Sequence, residues 1–363
     1  MKVGILTFPD TTSYGACLQM IALQNTVCRM GHEVEIIHYQ NPYMKAEKHV
    51  EKGRNPFKCA LQRSVRLLLH RRLYRNFRRF ERQHAAYYPA RTIADKRRLS
   101  EIGQRYDAVI CGSDQVWSPY ITGTDVSYFL DFCGEGTKRV AYAPSFGAVE
   151  FPDGFEERIA PELAKFYALS ARELPGKQLV ERLTGRETTI VTDPTWLVDA
   201  EDWAAMEQPH PAATGDYVLY FVVRQSPQLL RRCKEFAKQH GLKVVIVGGN
   251  PVSAVRNKDP MLAYATDIGP EQWLYLLHHA RYVFTNSFHG TAFSVLFERE
   301  VYVQIPSQSG SRLCQVLECF GMEDRAVREG EALTDTPIDY ARVRDVFARL
   351  KEQSLTYLKE ALS

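Results

Sequence analysis

Tyr282-Val-Phe-Thr-Asn-Ser-Phe-His-Gly-Thr holds the residues best suited to chemistry in this chain. An apolar run predicts a strand, the polar Asn286 and Ser287 end it, and a helix opens around His289-Gly290. A histidine at a helix start lies beside free backbone N–H groups and the positive end of the macrodipole, an arrangement that favours an anion. There it can hydrogen-bond a bound anionic substrate or give it a proton. The plainer alternative has Ser287 as a helix cap and His289 as a surface residue.

A second run, Asp107-Ala-Val-Ile-Cys-Gly-Ser-Asp-Gln-Val-Trp, also drives an apolar strand into small and polar residues. Gly112 permits close backbone approach. Ser113, Asp114 and Gln115 can hydrogen-bond a polyol, and Trp117 can stack on a sugar face. The same residues read equally well as a capped turn beside a core tryptophan. Tyr14-Gly15 follows the first strand and opens a helix, but neither GxGxxG nor GxxxxGK[ST] is present, so no dinucleotide or P-loop signature is formed. Asp193, in Thr192-Asp-Pro-Thr, can act as a hydroxyl-activating base or simply make an Asp-Pro turn. Arg172, Arg224 and Arg312 fall at predicted strand ends or helix starts, where fixed guanidinium forks can hold an anion. No HExxH, GxSxG or EF-hand spacing occurs, so no metal site or serine nucleophile is expected.

The elements that carry these residues alternate along the chain. Apolar runs at Val3–Phe8, Glu33–Tyr39, Asp107–Gly112, Arg139–Ala143, Tyr167–Ser170 and Thr188–Thr192 are followed by others at 217–223, 244–247, 282–285 and 301–305, with helical patterns between them. Such alternation predicts parallel sheets covered on both faces. With 363 residues, two domains are expected at roughly 150 per domain. The Pro- and Gly-containing stretch near 208–216 separates two series. The predicted architecture is α/β, with two Rossmann-like domains facing across a cleft. They span residues 1–207 and 208–335, and a helical segment, 336–363, returns to the first. Ligands in such sheets sit at the carboxyl ends of strands, where the candidate residues cluster.

The charge balance, 46 basic against 43 acidic residues, gives +3, so no global field calls for nucleic acid. Eight scattered cysteines without a CxxC pair fit reduced thiols in a cytoplasmic protein. The N-terminus reads as a strand rather than a leader, and no apolar run approaches the length of a membrane span. Locally the charge is uneven. Residues 54–82 carry ten Lys/Arg against Glu81 alone, with Leu61, Val65, Leu69, Leu73, Phe77 and Phe80 at helical spacing. This basic helical insertion either lies on an anionic membrane or packs its apolar stripe on the domain.

Taken together, Gly4-Ile-Leu-Thr-Phe, Tyr14-Gly-Ala-Cys-Leu-Gln, Cys111-Gly-Ser-Asp-Gln-Val-Trp, Tyr142-Ala-Pro-Ser-Phe-Gly, Ser170-Ala-Arg-Glu, Asp193-Pro-Thr, Asn286-Ser-Phe-His-Gly-Thr and Ser311-Arg-Leu resemble the polysaccharide pyruvyl transferases, in order from residue 3 to about residue 325. The resemblance implies a GT-B-like fold. It also implies transfer of a pyruvyl group from phosphoenolpyruvate to sugar hydroxyls, with ketal formation on a cell-surface glycan or its lipid-linked precursor. No cofactor is implied beyond the donor substrate. On that basis His289 is the proton donor and Asp193 a second catalytic candidate. Arg312, Arg172, Arg224, Asn286, Ser287 and Gly290 are expected on the donor side. Ser113, Asp114, Gln115, Trp117, Tyr14 and Gly15 are expected on the acceptor side. Ser287 departs from a pattern in which some members carry arginine two residues before the histidine. A lipid-linked acceptor would place the protein at the inner face of the cytoplasmic membrane, with residues 54–82 against it. Two rivals are a nucleotide-sugar glycosyltransferase on the same architecture and a non-catalytic scaffold that binds glycan or a protein partner.

Overall fold

The computed structural model describes residues 1–47, 70–148, 150–248, 257–306 and 310–363. The expected basic insertion therefore lies outside the described residues up to position 69, as does Ser309. The chain forms two compact units. The first comprises Met1–Leu68, Glu81–Leu197 and Arg349–Ser363, and the second Leu69–Phe80 and Val198–Ala348.

In the first unit, β1 (Lys2–Leu6), β2 (Glu33–Tyr39), β3 (Tyr87–Ile93), β4 (Ala108–Cys111) and β5 (Lys138–Ala141) form a parallel sheet in the order β3-β2-β1-β4-β5. Alternate residues feed two cores, as strand pleating requires. Val3, Ile5, Ala108 and Ile110 face one side with Tyr357, Leu358 and Leu362 from the chain's end. Leu6, Val109 and Cys111 face the other with Trp117, Tyr128 and Phe129. A short parallel pair, β6 (Ser170–Ala171) and β7 (Thr189–Ile190), lies further along the chain. Helix α1 (Tyr14–Arg29) follows β1, and Ser13 caps it by accepting from the Ala16 amide.

The second unit repeats this topology without repeating its sequence. Strands β8 (Tyr217–Phe221), β9 (Lys243–Val247), β10 (Leu262–Ala265), β11 (Tyr282–Thr285) and β12 (Glu300–Val303) run parallel in the order β10-β9-β8-β11-β12. In both sheets the first strand and the fourth are neighbours, so each has a topological switch point between them.

The division of the chain differs from the expected boundaries in three places. The division falls at Leu197/Val198 rather than at 207, because Trp203, fully buried, packs edge-to-face on Phe293 of the second unit. Helix α2 (Arg71–His84) does not belong wholly to the first domain. Its residues to Phe80 join the second unit, where Asn76 donates to the Asp267 carbonyl and Arg79 pairs with Glu271. The closing helix α6 (Tyr340–Ala361) is likewise divided. Arg344 pairs with Glu298 in the second unit, whereas Tyr357 donates to the Ala141 carbonyl in the first.

Candidate active-site residues in the two units

The second unit gathers its candidates at the switch point between β8 and β11. The two strands are in register there, with Thr285 opposite Phe221. Asn286, just beyond β11, straps the neighbouring loop. Its side-chain oxygen accepts from the Val223 amide at 2.9 Å, and its nitrogen donates to the Arg224 carbonyl at 2.8 Å. Asn286 thus fixes the backbone of Arg224, whose side chain is exposed.

Helix α4 (Phe288–Leu296) begins immediately after. Ser287 is its cap, accepting from the Gly290 amide at 3.2 Å, while the Ser287 amide itself donates to Thr285 Oγ1. Ser287 and Asn286, expected as donor ligands, therefore spend their side chains on holding the turn. Gly290 is needed for the close fit. A Cβ there would lie 2.5 Å from Thr285 Oγ1 and 3.1 Å from the Phe221 ring. The tight approach sets the helix start, and with it His289, against the strand ends.

His289 is half-buried in the first turn of α4. Its ring stands edge-to-face with Phe288, centroids 5.2 Å apart. Helix α5 (Ser311–Phe320) brings Arg312 to the same aromatic ring, with its guanidinium carbon 5.9 Å from the Phe288 centroid, at the outer limit of a cation–π contact. Phe288 is therefore the platform that both candidate groups share. A cation, a histidine and the positive end of a helix together can hold an anion and deliver a proton to it.

In the first unit the loops after β1 and β4 touch at the corresponding switch point, where Thr7 Oγ1 donates to the Ser113 carbonyl. Asp114 stands in a left-handed backbone conformation, φ 76°, and its carboxylate accepts from the Gln115 amide at 2.8 Å. Gln115 is half-buried and lies close against Gly147. Tyr14 is half-buried at the start of α1, with Gly15 buried beside it.

Three expectations in this unit are corrected by burial. Trp117 has no exposed surface; it stacks on Phe129 at 5.3 Å, and its Nε1 donates to the Tyr128 carbonyl, so no sugar can reach its face. Asp193 is 1% exposed and caps a short helical turn through Thr195, while Ser113 Oγ donates to its other oxygen at 3.1 Å. It organises the loops instead of meeting a substrate hydroxyl. Arg172 was expected beside the donor, but its side chain is 2% exposed within a cluster of acids. It lies 2.8 Å from Asp193, 3.7 Å from Glu173 and 3.8 Å from Asp114. Burial pulls the arginine's pKa down, yet the three carboxylates outweigh it and the net shift is upward. Ser145 donates to Glu173 and completes the hub.

Among the described residues, one group has the make-up of a metal site. Glu207 accepts His278 Nδ1 at 2.7 Å and His279 Nε2 at 3.2 Å. Its two histidines close helix α3 (Pro270–His278) just before the amino end of β11, whereas His289 follows the carboxyl end of that strand. The group pins the segment after Trp203 to α3.

With two Rossmann-like parallel sheets, the chain has a GT-B-type fold. It is similar to UDP-GlcNAc 2-epimerase structures from Listeria monocytogenes (described as putative), Neisseria meningitidis and Methanocaldococcus jannaschii, at TM-scores of 0.55, 0.54 and 0.53. Identities are 10%, 11% and 10%; the alignments cover 98%, 99% and 96% of this chain and 90%, 94% and 92% of theirs. At that identity the likeness concerns the fold alone. The family is given by sequence: the polysaccharide pyruvyl transferase family matches residues 14–303, and the chain belongs to it. It is thus a transferase of polysaccharide modification. No curated protein matches the chain.

Proposed function

We propose that the protein transfers the pyruvyl group of phosphoenolpyruvate to sugar hydroxyls of a cell-envelope glycan or its lipid-linked precursor, forming a ketal and releasing phosphate. The observation that carries this reading is the sharing of one aromatic platform, Phe288, by His289 and Arg312 at a helix start. The donor is an enol ester with a carboxylate and a phosphate. Protonation of its methylene carbon makes C2 electrophilic, so the site needs an acid and fixed positive charge. His289 supplies the proton. Arg312 and the positive end of the α4 dipole hold the anion, and Arg224 is the second clamp. Arg172, committed to its acids, is left out of that clamp. On the acceptor side Asp114, Gln115, Tyr14 and Gly15 remain, while Ser113 and Trp117 support them from within.

Thermal unfolding with added ligands tests this. A ligand that binds only the folded state raises its apparent stability by mass action. Phosphoenolpyruvate is expected to raise the transition temperature, and Arg312→Ala to weaken that rise. Stabilisation by a UDP-, GDP- or CMP-sugar with none by phosphoenolpyruvate would replace the reading with glycosyl transfer. Absence of phosphate release from a bound donor, with glycan present, would favour the scaffold.

The basic helix fits this reading at a membrane surface, in altered form. Among the described residues no helix is long and apolar enough to cross a membrane. In α2 Phe77 and Phe80 are buried, so the apolar stripe is used within the protein. Arg71, Arg72, Arg75, Arg78 and Arg82 are exposed. Attachment to the cytoplasmic face would then be electrostatic rather than by insertion, each arginine near an anionic surface contributing about 1 kcal/mol. Binding to phosphatidylglycerol vesicles should be strong at low salt, and lost when Arg71, Arg72, Arg75 and Arg78 are changed to glutamine. Failure to bind at low salt would return the helix to a purely structural role.

A further inference from the structure

A compact polar group at the carboxyl ends of β1, β2 and β3 is used by none of the steps above. Asp10 lies in the loop after β1, His38 is the penultimate residue of β2, and Thr92 the penultimate residue of β3. Thr92 Oγ1 donates to Asp10 Oδ2 at 2.6 Å and lies 2.9 Å from His38 Nε2, which is itself 3.0 Å from Asp10 Oδ2. His38 Nδ1 faces the Pro89 carbonyl at 3.2 Å. A carbonyl only accepts, so Nδ1 carries a proton and Nε2 is the nitrogen turned to Asp10 and Thr92. The imidazole is stacked on Tyr87, centroids 4.2 Å apart.

Two features separate this group from a plain tie between strands. The His38 side chain is 8% exposed whereas that of Asp10 is 35% exposed, so a buried histidine backs a carboxylate that faces outward. Asp10 also holds a left-handed backbone, φ 52°, a conformation that non-glycine residues adopt at some cost. The group lies next to the switch point of this sheet. Three residues before Asp10, Thr7 bonds the Ser113 carbonyl at the end of β4.

We propose that Asp10 takes the proton of the acceptor hydroxyl, with His38 and Thr92 as its positioning residues; the assignment rests on the pyruvyl-transfer reading. As the sugar oxygen forms its bond to C2 of the pyruvyl group, its O–H bond breaks and the proton passes to the Asp10 carboxylate. Over the whole reaction two hydroxyl protons are lost. One is matched by the proton added to the methylene carbon. The other leaves with phosphate, which carries away the electron pair of its bond to C2.

The test uses the full-length protein and p-nitrophenyl glycosides of glucose, galactose, mannose and N-acetylmannosamine as acceptors, with donor binding read by thermal shift and turnover by phosphate release. Asp10→Asn keeps a partner for Thr92 and tolerates the left-handed backbone. It should lower kcat by about 100-fold or more, in the range of general-base removal, with the KM for phosphoenolpyruvate unchanged. Asp10→Gly, equally at ease in that conformation, should lose the same activity and regain part of it with added formate. His38→Gln should cost less than either. Wild-type turnover with undiminished kcat in Asp10→Asn, or a loss in Asp10→Gly that formate leaves untouched, would overturn the assignment while leaving pyruvyl transfer standing. A wild-type protein that neither responds to phosphoenolpyruvate nor releases phosphate from it would overturn both.

Discussion

Replacing His289 by alanine is expected to lower phosphoenolpyruvate-dependent transfer by about 10²–10⁴-fold, the usual worth of a positioned general acid. Stability should change little. The ring is half-buried, outside the buried core, and alanine is the better helix former. The turn that carries position 289 is held by other residues: Ser287 caps Gly290, Asn286 straps the loop of Arg224, and Gly290 seats against Thr285. None of these involves the imidazole. Stabilisation by the donor should persist in the variant, because Arg312 and the positive end of the helix hold the anion in this scheme. The separation is the informative part: binding retained, turnover lost. Near-normal phosphate release from His289→Ala would remove the histidine from the mechanism, and a collapse of thermal stability would make the loss of turnover uninformative about chemistry.

Much of the frame was legible because central strands have an unambiguous physical signature. Val-Leu-Tyr-Phe at 218–221 and Val-Val-Ile-Val at 244–247 are buried on both faces and have no polar alternative. The two strands that the pattern missed are β3 and β10, each at the same edge of its sheet. Tyr87–Ile93 contains Pro89 and Arg91, tolerated where one side needs no partner, and Leu262–Ala265 has no β-branched residue and is mostly half-buried. Edge strands are paired by a neighbour rather than announced by their own composition.

The site was legible as a place more than as a division of labour. Strand ends drew attention to Asn286, Ser287, Ser113 and Asp193 correctly as polar residues at turns. Small polar side chains at such turns serve a ligand or the backbone equally well, and only their partners decide. Here Asn286 serves Val223 and Arg224, and Ser113 serves Asp193. Trp117 shows the same ambiguity for an aromatic, resolved by three rings of Phe129, Phe146 and Phe166 around it. Groups assembled from distant positions left no local trace. Thr92 and His38 are 54 residues apart and His38 and Asp10 28 apart, so no spacing could couple them.

Arg172 carries the largest expected effect on stability. Arg172→Met keeps most of the side chain's bulk but leaves Asp193, Glu173 and Asp114 around a position without positive charge. Breaking a buried pair by removing one partner costs about 3–5 kcal/mol, since the remaining charge stays desolvated. The transition of the first unit should fall accordingly. The arginine's own titration does not enter: its pKa is shifted upward, so its contribution is fully present below the ordinary arginine range and lost only above it. Neutralising the acids as well should recover part of the loss, because replacing a whole buried ionic group costs less than orphaning half of it. Asp193→Asn retains the capping oxygen that accepts from Thr195, and Glu173→Gln retains an acceptor for Ser145. Arg172→Met with these two changes should therefore be more stable than Arg172→Met alone. A single variant as stable as wild type, or a triple variant less stable than the single one, would mean that the cluster is held by packing and that Arg172 does not balance its acids.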